Sequence, residues 1–224
     1  MVPPLAFSLL ICQTDLVDCN KDNKFMDKVH FMNIEKGLIN HALQLGGPVF
    51  VPAVVLVPLM GMMYAVFVSG SLLVLNYVHV MSAILWTGFD LFMGFVLGPI
   101  LGKLPQKDRA AVFKRLIPKI TFLLPVLAVV TTITGFELVK SMGYSFDSIW
   151  SYPWIVAGIV IATILGMQAV FFLIPNEVRI FQQLLRQNPD IQTINRLGMI
   201  NTRLAGLQGI MQISIVFVMA NIRF

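Results

Sequence analysis

Three side chains in one apolar stretch have the types and spacing for chemistry. In LNYVHVMSAILWTGFD, His79 is followed seven residues later by Trp86 and eleven residues later by Asp90. On a helix at about 100° per residue, Trp86 and Asp90 each fall within roughly 20° of His79. They share a face but not a depth, because eleven residues rise about 16 Å. A direct His79–Asp90 acid/base pair is therefore excluded. What remains is an imidazole able to ligate a metal or haem and, separately, a carboxyl group in apolar surroundings. Such a carboxyl is costly unless paired or protonated, and it marks a functional site by default.

The sequence supplies company for each. At the depth of His79 stand Met60, Met62 and Met63 in the preceding apolar segment, Met81, Glu137 and Met219. Thioether and imidazole donors suit Cu(I), so His79 with Met60, Met63 and Met81 forms a candidate copper set. At the depth of Asp90 stand Gln168, Gln208 and Gln212. Two polar layers are expected, one of His/Met/Glu and one of Asp/Gln. The bland alternatives are a histidine bonded to a neighbouring helix, a tryptophan packed in the core, glutamines acting as interhelical glue and methionines as filler.

These residues must be positioned by helices in lipid. The chain has 224 residues, 57% of them hydrophobic and 12% charged, with mean hydropathy +0.82. Ordinary soluble domains carry about 25% charged residues. Five apolar segments, about 48–68, 72–99, 120–139, 149–175 and 204–222, are each long enough to cross a bilayer. The fold expected is an all-α integral membrane bundle of five transmembrane helices. Fourteen of the 16 Lys and Arg residues fall in 1–47, 100–119 and 176–203, and only Lys140 and Arg223 on the other side. The positive-inside rule then places the N-terminus in the cytosol. Tyr144, Trp150, Tyr152 and Trp154 form an aromatic belt at the outer end.

Outside the spans, residues 26–47 carry a helical stripe of Met26, Val29, Leu38, Ala42 and Leu45, expected as an interfacial amphipathic helix. Residues 1–25 read as a tail, disordered or an over-extended start. Cys12 and Cys19 make no CxxC pair, and His30 and His41 lie on the cytosolic side. Helix four is expected to continue past Pro175 to about Gln187. Asn188-Pro189-Asp190 then forms a turn and starts a new helix. Ala205 and Gly209 make a small-xxx-small pair for close packing.

His79 followed at seven by Trp86 and then Gly88 (HVMSAILWTG) resembles the H…W-x-G helix of the copper-resistance protein D (CopD) family. HemJ-type protoporphyrinogen oxidases carry a related helix. Phe113-Lys-Arg-Leu116 and Thr131-Thr-Ile-Thr-Gly135 resemble the same superfamily, and the match covers roughly residues 70–140. The resemblance implies a helical bundle in which His79 ligates haem b or copper, with Trp86 beside the cofactor. Gly98-Pro99-Ile100 stands where the HemJ helix has a proline–arginine element, so that oxidase activity is not implied. With His79 the only histidine in the spans, haem ligation would be His–Met, five-coordinate or shared between subunits.

Three functions follow as expectations: a haem b component of a membrane redox complex, a copper-binding or uptake protein, or a non-catalytic subunit of a larger membrane complex. The chain is not expected to be an enzyme on its own, since no nucleophile, phosphate loop or metal triad is present. Its expected partners are the lipid bilayer and other membrane subunits. Its expected place is the cell membrane, a prokaryotic plasma membrane. Nucleic acid is excluded, because topology accounts for the basic residues and no aromatic-interleaved patch accompanies them.

Overall fold

The computed structural model describes residues 47, 49–144, 149–184, 186 and 188–222. The tail 1–25, the stripe expected in 26–46 and the residues Cys12, Cys19, His30 and His41 lie outside them. Five long helices account for nearly all of the described chain, and no strand occurs among the described residues. They are α1 (Phe50–Val68), α2 (Leu72–Lys103), α3 (Gln106–Ser141), α4 (Pro153–Leu184) and α5 (Ile191–Ala220), each long and apolar enough to cross a membrane.

Two helices are longer than the apolar segments suggested. The basic stretch 106–119, expected within a loop, is the amphipathic first third of α3. Its Phe113 is fully buried and Leu116 half-buried, while Lys114 and Arg115 are exposed. Likewise α5 begins thirteen residues before residue 204, at Ile191. Hydropathy reports only the apolar part of a helix. These ends are helical because one face still packs, and their charges occupy the other.

The helix ends are fixed by specific partners. Arg109 donates to the Leu104 and Gly102 carbonyls at 2.9 and 3.4 Å, meeting carbonyls that the end of α2 leaves free. Asp190 caps α5 by accepting from the Gln192 amide at 3.0 Å and from the Thr193 hydroxyl, so the expected Asn-Pro-Asp start is seen. Asn195 Nδ2 donates to the Gln106 carbonyl at 2.9 Å, tying the start of α5 to that of α3.

Helices α3 and α5 are central. Helix α1 packs on α2 and α3; α2 packs on α3 and α5; the first half of α4 packs on α5 and its second half on both α3 and α5. The α2–α5 contact is the tightest. A Cβ on Gly94 would lie 2.1 Å from the Gly206 Cα, and one on Gly209 would lie 2.8 Å from Leu91. The two backbones touch where only glycine fits. The expected pair is thus used, with Ala205 buried and Gly206 as the closest point.

Three of the helices contain a π-helical segment: Tyr64–Val68, Phe92–Leu97 and Ala169–Leu173. The second and third are each followed two residues later by a proline, Pro99 and Pro175. A proline ring crowds the carbonyl four residues earlier and donates no hydrogen bond. The wider π turn just before it accommodates that ring, and both helices continue through it.

Candidate functional site

His79 faces α3. Its Nδ1 lies 2.9 Å from the Thr131 carbonyl and 3.3 Å from Thr134 Oγ1. A carbonyl only accepts, so Nδ1 carries the proton and the neutral ring keeps its lone pair on Nε2. Thr131 is a node, because its hydroxyl also donates to Ser82 Oγ at 2.9 Å. Gly135 makes the approach possible: a Cβ there would sit 2.9 Å from His79 Cε1. The Thr131–Gly135 segment therefore has a physical role as the seat of the imidazole. Among the described residues nothing bonds Nε2.

The candidate copper ligands are not gathered around that nitrogen. Met60, Met63 and Met81 are exposed, at 69%, 51% and 40%, and Met81 points roughly 200° away from His79 on the same helix. Glu137, expected in the His79 layer, instead pairs with Lys140 at 3.5 Å and lines a small cleft with Gly70 and Ser71. No group of three His, Cys, Asp or Glu side chains that could hold a metal occurs among the described residues.

Asp90 faces α5 and is completely buried. Its Oδ2 accepts from Gln212 Nε2 at 2.9 Å. Trp86 sits one turn earlier on the same helix, and the Glu177 carboxyl of α4 lies nearby. Trp86 itself packs against Met93, Ile120, Leu124 and Ala205. Gln168, expected beside Asp90, reaches α5 by donating to the Leu204 carbonyl at 3.1 Å. Asn201 accepts from Asn176 at 2.9 Å and donates to the Leu173 carbonyl at 3.2 Å, so α4 and α5 are joined by several side-chain amide hydrogen bonds.

The shared face of His79, Trp86 and Asp90 thus looks into the bundle but serves two neighbours, α3 for His79 and α5 for Asp90. Glu177 is the site residue that sequence reasoning missed. It is buried next to Thr121, yet by hydropathy it lay past the end of span four. The signal that could have found it is Pro175, because a helix continuing through that proline must turn Glu177 inward one turn below Leu173.

Compared with known proteins, the chain matches no family model, no curated protein and no solved structure.

Proposed function

We propose that the chain is a multi-pass membrane protein, with its basic connections in the cytosol, that contributes His79 as one axial ligand to a haem b shared with a partner subunit. The observation that carries this reading is the His79 seat. Histidines that ligate metals characteristically donate their other ring N–H to a carbonyl or carboxylate, which fixes the tautomer and the ring plane. His79 does this through Nδ1 and leaves Nε2 free.

The membrane assignment rests on the five apolar helices, the basic-residue asymmetry and large apolar side chains turned outward all along the bundle, among them Phe67, Leu73 and Phe171. The resemblance of HVMSAILWTG and TTITG to the CopD superfamily points the same way for the ligand. The residues of this chain fit one half of a haem site. They offer one prepared imidazole and no second histidine among the described residues; two small clefts of the described residues lie elsewhere, at Tyr144–Trp154 and at Gly70–Glu137. Haem would supply one-electron transfer. This chain's part is to hold the imidazole in one orientation and present Nε2 at an apolar boundary.

The test is a reduced-minus-oxidised spectrum of the complex purified in mild detergent. A Soret band is expected, lost in His79→Ala and kept when Met60, Met63 and Met81 are changed to leucine. A colourless complex overturns the proposal. Copper has less support, given the outward methionines. A second reading takes the same hydrogen bond as a tie between α2 and α3 in a structural subunit; a colourless complex destabilised by His79→Ala would favour it.

A further inference from the structure

The Asp90 layer is short of positive charge and of hydrogen-bond donors. Asp90 Oδ1, Gln212 Oε1 and Gln208 Oε1 are all buried and all without a partner. The three residues are 0%, 2% and 1% exposed. Gln212 is bonded to Asp90, and Gln208 lies one turn away on the same face of α5. The ionisable neighbour is another carboxyl, Glu177 from α4; α3 contributes Thr121 and α5 the two glutamines. No Lys or Arg is among the buried residues described, and the ion pair found among the described residues, Lys140–Glu137, is elsewhere.

Orphaned buried acceptors are each destabilising, and a buried carboxylate without a cation more so. A bridging water would supply donors but no charge. A single proton on Asp90 would supply charge but only one donor for the three oxygens. An alkali cation answers both needs at once, since all three atoms are hard oxygen ligands of the kind such ions take.

We propose that Asp90, Gln212 and Gln208 form an intramembrane site for a small alkali cation, Na+ being the probe of choice. Asp90 supplies the balancing charge and the amide oxygens replace hydration. Two features keep the site from collapsing. The Gly94–Gly206 contact fixes α2 against α5 about one turn away. The Gln212 amide holds the carboxylate in place. The site is independent of the haem reading, because His79 bonds a different helix.

The full chain in detergent, in NaCl or in choline chloride of equal ionic strength, would be treated with a hydrophobic carbodiimide, which modifies buried protonated carboxyls. Modification at Asp90 would be read by mass spectrometry, alongside thermal unfolding. Na+ is expected to protect Asp90 at least tenfold over choline and to raise the unfolding temperature. Gln208→Leu, which keeps the carboxyl, should raise the half-protecting Na+ concentration about tenfold. Asp90→Asn should lose both the labelling and the Na+ effect on unfolding. Equal labelling in Na+ and choline, including labelling that follows pH alone, overturns the proposal, as does a Gln208→Leu protein that responds to Na+ like the parent.

Discussion

At the scale of single residues, the positions that decide the two buried sites are small or neutral ones. Gly135 is the sharpest case. A methyl group there meets the His79 ring at 2.9 Å, so Gly135→Ala should displace the imidazole and break its bond to Thr131. Overpacking of this kind costs about 1–3 kcal/mol. Thermal unfolding followed by circular dichroism should show the loss, and an unchanged midpoint would contradict the seat. Asp190 gives a pH prediction. The Thr193 hydroxyl, with the Thr193 and Gln192 amides, holds its carboxyl below the ordinary range. A depressed folded-state value stabilises above the unfolded value and is lost as the pH falls through the folded one. The protection of amides at the start of α5, taken relative to their intrinsic exchange rate at each pH, should therefore fall on acidification below the usual carboxyl range, and Asp190→Asn, which still caps, should flatten that dependence. His79, Trp86 and Asp90 could be singled out from the sequence because polar groups in apolar runs stand out. Their partners could not. Thr131 acts through a backbone carbonyl, which no side-chain identity advertises, and Gln212 was one of three equivalent glutamines until the register of α5 against α2 was known.

At the scale of elements, the α2–α5 contact is the one that glycine alone permits. Gly94→Ala places a methyl 2.1 Å from the Gly206 Cα. Backbone cannot yield as a flexible side chain can, so the two helices must separate. Gly88 faces open space, and Gly88→Ala is the matched control, expected to be neutral or stabilising by up to about 1 kcal/mol through helix propensity. Unfolding midpoints of the two variants should move in opposite directions or differ clearly; equal midpoints would mean that the backbones are not in contact. Elements were legible wherever hydropathy was high. The start of α5 was legible as well, from Asn188-Pro189-Asp190, but the first third of α3 was not, because it is held by Phe113 seated on Gly198 and by Asn195, contacts between segments more than eighty residues apart.

At the scale of the whole molecule, orientation is the testable quantity. With Cys12 and Cys19 replaced by serine, Ser141→Cys should react with a membrane-impermeant maleimide added to intact cells, and Lys107→Cys only after permeabilisation. The reverse pattern would invert the model and place the His79 layer on the cytosolic side. The expectation of this orientation comes from the basic-residue count alone, because loop charge needs no tertiary information. Which helices touch could not be read, since the apolar surfaces of α1 and of the outer half of α4 look alike in composition and differ only in what they face.

The π turns of α2 and α4 have a consequence for phase. Each segment carries more residues per turn than the helix around it. Helix α2 is in effect two cylinders joined out of step, one presenting His79 and Asp90, the other presenting Gly98 to Thr202. The π segment Phe92–Leu97 thus absorbs about one residue more than a plain helix of the same length would hold. Removing one residue within it should restore a plain helix and leave everything beyond it in phase, with Gly98 still on Thr202 and Leu101 still in the core. The same deletion in the α-helical part before it, between His79 and Asp90, would swing the two residues apart by about 100°. A deletion within Phe92–Leu97 should therefore assemble and one between His79 and Asp90 should not, with assembly read by thermal unfolding in detergent. In this part of the chain, where a residue is lost matters more than which residue it is.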